Sequence, residues 1–94
     1  MLESKIQQSI QRVLKSYGCL AIKQESPPVG IPDLLVLTGD STHFWIEVKQ
    51  PSGILSPCQK AFHIKLTRRG DRVNICRNKQ DAIDALNDFK GDEI

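Results

Sequence analysis

The sequence lacks the features that mark membrane and secreted proteins. No apolar run in its 94 residues approaches the roughly 20 residues of a transmembrane helix. Residues 1–5, MLESK, also lack the apolar core of a signal peptide. We therefore expect a cytoplasmic protein.

Side chains that bind soft metals are scarce. The cysteines Cys19, Cys58 and Cys76 are odd in number and form no C-x-x-C pair, so neither a disulfide framework nor a zinc site is predicted. We interpret all three as small buried apolar residues. His43 and His63 have no partner at metal-ligand spacing, and we interpret both as ordinary polar residues.

Length and composition predict one folded domain over residues 1–94. A hydrophobic content of 39% with 26% charged residues favours a globular chain over a disordered one. Residues 1–78 carry 11 Lys and Arg against 6 Asp and Glu, whereas residues 79–94 carry 2 against 5. A basic body suggests a polyanionic partner, although a solvated face with scattered charge is the simpler interpretation.

Apolar periodicity and turn residues predict the order α-β-β-β-α-β-α, a mixed α/β fold with a sheet flanked by helices. The predicted helices cover residues 2–17, 57–69 and 79 onward, and the predicted strands cover residues 19–23, 33–38, 42–49 and 72–76. A tight turn at Gly39-Asp40 joins the second and third strands into a hairpin.

Two carboxylates and a lysine are expected to meet at one end of this hairpin. Asp33 opens its first strand, while Glu47 and Lys49 end its second. Side chains two apart on a strand share a face, so Glu47 and Lys49 point the same way and Val48 points into the core. Carboxylate oxygens suit Mg²⁺, which would relieve their repulsion and supply the charge that phosphodiester hydrolysis needs.

The acidic-x-Lys triplet alone carries little information. It occurs three times, beginning at Glu3, Glu47 and Asp88, but only the triplet at Glu47 lies in a predicted strand. In a helix, residues two apart diverge around the axis and cannot form this site. The competing interpretation is an exposed ion pair at a sheet edge, with Pro32-Asp33 merely opening a strand after a turn.

The two motifs GIPD, at residues 30–33, and IEVK, at residues 46–49, face each other across the predicted hairpin. Together they resemble the signature of PD-(D/E)xK nucleases, in the branch of virus-type replication-repair nucleases (VRR-NUC). The resemblance runs from Glu3 through LSPCQ, at residues 55–59, to Arg77. It implies a restriction-endonuclease-like fold and a homodimeric, metal-dependent endonuclease acting on branched DNA such as four-way (Holliday) junctions.

The resemblance also implies roles for the residues of the hairpin end. Asp33 and Glu47 bind Mg²⁺ or Mn²⁺ together with the main-chain carbonyl of Val48. Lys49 orients the attacking water and steadies developing phosphoryl charge.

Two further catalytic residues, Glu3 and Gln59, are implied by the same resemblance. Glu3 corresponds to the acidic residue of the family's first helix, and Gln59 to a polar residue near the metal. Each has a competing explanation: a negative charge is favoured near a helix N-terminus, and Gln59 completes a capping box with Ser56.

A basic cluster that follows the site is interpreted as DNA-binding through phosphates, which gives affinity without reading base sequence. Its members are Lys60, Lys65, Arg68, Arg69 and Arg72. A solvated helix face is the alternative. For the whole chain, the alternatives are a non-catalytic DNA-binding module, a sequence-specific restriction-like endonuclease, and a protein-interaction domain that uses the acidic last helix.

Overall fold

The structure, a computed structural model, describes residues 2–92. Its elements confirm the predicted order, and their ends lie within two residues of the predicted ones. The bounds are α1 Glu3–Ser16, β1 Leu20–Lys23, β2 Leu34–Leu37, β3 His43–Val48, α2 Pro57–Thr67, β4 Val73–Cys76 and α3 Lys79–Asp92. None of the helices described is long and apolar enough to cross a membrane.

The four strands form one mixed sheet in the order β1-β2-β3-β4. Strand β2 is antiparallel to both of its neighbours, β1 and β3, whereas β3 and β4 are parallel. A parallel pair needs a crossover connection, and α2 supplies it. Because Leu34 pairs with Ile46, the same register carried back one residue sets Asp33 opposite Glu47.

The core lies between one face of the sheet and the helices α1 and α3. Leu14 and Ile10 of α1 are fully buried, and the rings of Phe44 and Phe89 lie 5.1 Å apart. The remaining buried core side chains are Ile6, Cys19, Leu34, Val36, Ile46, Val48, Cys76, Ala82, Ala85 and Leu86. Three of these belong to α3, so the acidic last helix covers the sheet.

The opposite face of the sheet carries only α2 and is partly open. None of the described residues of α2 is fully buried. Leu20, Ile22 and Ile75, on the strands, and Ile64, on α2, are all exposed. Glu47 lies on this less covered face of the sheet, where residues of α2 contact it.

The prediction that all three cysteines are buried is wrong for one of them. Cys19 and Cys76 are buried, but Cys58 is exposed. It lies in the first turn of α2, directly before Gln59. Successive helical residues are turned by about 100°, so when Gln59 faces the sheet its neighbour turns toward solvent.

Candidate active site

The hairpin end brings the two predicted carboxylates into contact. Asp33 Oδ2 accepts a hydrogen bond from the backbone N–H of Val48 at 2.8 Å. The carboxyl group of Asp33 also lies close enough to that of Glu47 to raise its pKa. The pairing of β2 with β3 therefore builds an acidic pair, as the sequence predicts.

Glu47 is a buried acid with an unusual proton affinity. Its exposed fraction is 1%. Burial, and then the hydrogen bond and negative charge of Asp33, raise its pKa from 4.5 to about 9. At neutral pH this raised pKa favours the protonated form of Glu47. A cation bound beside the two carboxyl groups would favour the ionised form instead.

Lys49 and Glu3 both act electrostatically on this acid. The positive charge of Lys49 lowers the pKa of Glu47, whereas the negative charge of Glu3, in the first turn of α1, raises it. The stem of Lys49 runs past Gly53, with Cδ 3.4 Å from where a β-carbon would stand. Both Lys49 and Glu3 are therefore near enough to Glu47 for their charges to influence its ionisation.

Gln59 makes both of the contacts that were considered as alternatives. Its Oε1 accepts from the Ser56 N–H at 2.9 Å, and its own N–H donates to Ser56 Oγ at 3.1 Å, which completes the capping box. Its Nε2 donates to Glu47 Oε2 at 3.5 Å. One amide group therefore caps the N-terminus of α2 and also contacts Glu47.

His63 is the site residue that the sequence interpretation missed. Its Nε2 lies 3.0 Å from Glu47 Oε1, and its side chain is 12% exposed. Burial lowers the pKa of His63. The available signal was the spacing of four from Gln59, which places both residues on one helix face. His43, in contrast, is exposed and pairs with Asp71 at 2.9 Å.

The loop before β2 is packed directly against the start of α2. Gly30 has a φ of +93°, and a β-carbon there would lie 2.4 Å from the carbonyl oxygen of Cys58. Only glycine fits this close approach without strain. The contact ties the GIPD loop, which carries Asp33, to the helix turn that carries Gln59.

Arg77 holds the loop that follows Lys49. Its Nη1 group donates to three carbonyl oxygens of this loop at 2.7 to 3.2 Å, those of Gln50, Pro51 and Gly53. This loop connects Lys49 to α2. The arginine at the end of the resembling region thus fixes the backbone between Lys49 and α2.

Four of the five predicted DNA-binding residues lie on α2 or at its end. Arg69 donates to the carbonyl of Lys65 at 2.8 Å, and Lys65 lies 5.9 Å from the Phe62 ring centroid. The exposed positions in this group are Lys60, Lys65, Arg68 and Arg69. Arg72 is separated from them, because its guanidinium lies 5.9 Å from the ring of Phe89, on α3.

The oxygen atoms at the hairpin end suit a hard divalent cation. Within residues 2–92 no group of three or more His, Cys, Asp and Glu side chains has metal-binding spacing. Trp45 and Lys49 donate backbone hydrogen bonds toward β4, so the alternating Val48 carbonyl faces the side of Asp33. Two carboxylates and one carbonyl are the donor types that Mg²⁺ and Mn²⁺ prefer.

The raised pKa of Glu47 predicts how the metal-free protein responds to pH. The folded state keeps a proton that the unfolded chain releases above pH 4.5, so this contribution to stability is full below pH 4.5 and is lost as pH rises toward about 9. We expect the melting temperature in EDTA to fall with pH relative to that of Glu47→Gln. The measurement is calorimetry of both proteins between pH 5 and 9, and parallel pH profiles would contradict it.

Comparisons with known proteins agree with this geometry. The family model of the VRR-NUC domain matches residues 2–80. A solved structure described as a VRR-NUC domain superposes with a TM-score of 0.79 at 23% identity, covering 90% of this chain and 94% of the other. A search of curated protein sequences gave no significant match. With more than half of its length matched by the family model, the chain belongs to the VRR-NUC domain family and has its nuclease-like fold.

Proposed function

We propose that the protein is a metal-dependent, structure-specific DNA endonuclease that hydrolyses phosphodiester bonds in branched DNA. The observation that carries the proposal is the buried acid Glu47, which the strand register sets opposite Asp33 and which feels the charge of Lys49. Burying a carboxyl without a full ionic partner is costly. A site that binds a cation explains why the fold keeps this pair.

Each residue at the hairpin end has a distinct part in the proposed reaction. Asp33, Glu47 and the Val48 carbonyl would hold Mg²⁺ or Mn²⁺, which when bound neutralises developing charge and lowers the pKa of water. Lys49 orients the water and stabilises negative charge on the phosphoryl oxygens. Glu3 is exposed, and its charge influences Glu47. It would bind the metal through a water molecule.

The basic side of α2 supplies a place for the DNA backbone. Lys60 and Lys65 lie on α2, and Arg68 and Arg69 directly follow its end, so DNA bound along this helix would lie close to Gln59 and the acidic pair. These side chains contact phosphates, which carry no base sequence. The surface therefore favours recognition of DNA shape over recognition of a base sequence. Arg72 would contact DNA only if the bound DNA extends over α3.

A homodimer fits both the size of the chain and the proposed substrate. The described residues span 33 × 32 × 23 Å. One such unit presents one site, whereas a four-way junction needs two symmetric cuts. Two copies related by a two-fold axis would present two identical sites.

The test uses the purified protein with linear, forked and four-way DNA of shared sequence, each with and without Mg²⁺. We expect cutting that requires Mg²⁺ and is fastest on the four-way junction. The cuts should occur in pairs, one in each of two opposing strands. Light scattering coupled to gel filtration should give the mass of a dimer. Cutting of linear DNA at one base sequence would instead favour a restriction-like enzyme, and binding without Mg²⁺-dependent cutting would favour a non-catalytic module.

A further inference from the structure

The interior of the site contains an imidazole with no part in the scheme above. His63 lies on the side of α2 that faces the sheet, one helical turn after Gln59. Its side chain is 12% exposed, and its Nε2 is directed at Glu47 Oε1 from 3.0 Å. By contrast, the basic residues of α2 are all exposed. His63 is therefore placed to act on the acid.

The two oxygens of Glu47 have separate partners on one helix. His63 contacts Oε1 at 3.0 Å, and the amide of Gln59 contacts Oε2 at 3.5 Å. A carboxylate held at both oxygens cannot rotate about its last bond without losing a contact. The helix thus fixes the plane of the group that also contacts Asp33.

We propose that His63 is a positioning residue for the divalent cation. Its Nε2–H group donates a hydrogen bond to Glu47 and so holds this carboxylate in the orientation that binds metal. The inference rests on the proposed function. A glutamate bound to a cation is ionised and has no proton to donate, so the imidazole must be the donor in that state. The neutral ring then carries its proton on Nε2.

The same arrangement explains why an imidazole is useful here. A donor that orients a metal ligand commonly contributes about 10-fold to 100-fold in metal affinity or activity. A lysine at this position would bring a second full positive charge beside the cation in addition to Lys49. A neutral N–H donor orients the carboxylate without opposing the metal.

The experiment measures Mn²⁺ binding to the full chain without DNA, by isothermal titration calorimetry. His63→Leu keeps the bulk of the side chain but removes the donor, and we expect its Mn²⁺ affinity to fall about 10-fold to 100-fold. His63→Gln can place an amide N–H near the position of Nε2, and it should recover most of the affinity. The matched control His43→Leu, at the other end of β3, should bind as the wild type does.

A second variant and a second measurement keep the test decisive. If His63→Leu does not fold, His63→Asn, whose amide is too short to reach Glu47, should show the same loss of affinity. DNA binding in EDTA should be equal in the wild type and in the variants, since His63 acts only through Glu47.

Three results would overturn the assignment. They are wild-type Mn²⁺ affinity in His63→Leu, equal losses in His63→Leu and His63→Gln, and nitrogen coupling to bound Mn²⁺ in electron paramagnetic resonance, which would make His63 a ligand. These differ from failure of the proposed function, in which the wild-type protein itself neither binds Mn²⁺ nor cuts DNA.

Discussion

Replacing Glu47 by glutamine is expected to lower the rate of Mg²⁺-dependent DNA cleavage by roughly a thousandfold, because losing one ligand forfeits several kcal/mol of charge stabilisation. Glutamine has nearly the same shape as a protonated glutamate, the form that the raised pKa of Glu47 favours. The variant should therefore fold and bind DNA normally. Single-turnover cleavage of a four-way junction at saturating Mg²⁺ measures the effect.

The matched control for this substitution is Glu25→Gln, in the exposed loop before β2. It removes the same charge from the same chain without touching the hairpin end, so cleavage should stay at the wild-type rate. If Glu47→Gln cut DNA as fast as Glu25→Gln, the acidic pair would have no part in hydrolysis. The proposed site would then be wrong.

The second large effect is expected from Gly30→Ala, measured as the free energy of unfolding in urea. The positive φ alone costs about 1 to 2 kcal/mol for a residue with a β-carbon. The new β-carbon would also lie 2.4 Å from the Cys58 carbonyl oxygen, and relieving such overpacking costs about 1 to 3 kcal/mol more. We expect a total loss of about 2 to 5 kcal/mol.

Gly70→Ala separates the two contributions. Gly70 has a φ of +90°, but a β-carbon there would meet nothing within 4 Å. It should lose only the conformational part, about 1 to 2 kcal/mol. Equal losses in the two variants would show that the contact between the GIPD loop and α2 contributes nothing. In Gly30→Ala, but not in Gly70→Ala, Mn²⁺ affinity should also fall, because Asp33 and Gln59 are displaced.

The acidic pair could be predicted from sequence because it depends on local geometry. The two strand ends meet because a short loop joins them. The loop is residues 39–41, one residue longer than the predicted turn Gly39-Asp40, since the Thr38 N–H donates to the Thr42 carbonyl. This longer loop gives the register that sets Asp33 opposite Glu47. The alternation of strand side chains then separates Val48, in the core, from Glu47, on the other face. Both conclusions need only the residues between positions 33 and 49.

The placement of α2 could not be predicted in the same way. Helix periodicity shows that Gln59 and His63 share a face, but which strand that face meets depends on the crossover between β3 and β4. The contact of His63 with Glu47 spans sixteen positions and arises only when the helix packs on the sheet. The exposure of Cys58 has the same cause.

Gln59 makes both the capping contact and the contact with Glu47 that its position in the sequence offers as alternatives. A primary amide has an acceptor and a donor at opposite corners, and the structure uses both at once. Arg72 shows how sequence proximity differs from proximity in space. It follows the basic helix closely in sequence, yet the chain reverses after α2 and carries its guanidinium to α3.

The shared amide of Gln59 makes the first turn of α2 and the acid one cooperative unit. Fraying of this turn would free the Ser56 N–H and also remove a partner from Glu47. Any ligand that locks Glu47 in place should slow local opening of the helix, and with it the exchange of its first amide hydrogens with solvent. The hydrogen-exchange rate at the start of α2 would then report whether a ligand is bound at the neighbouring end of β3.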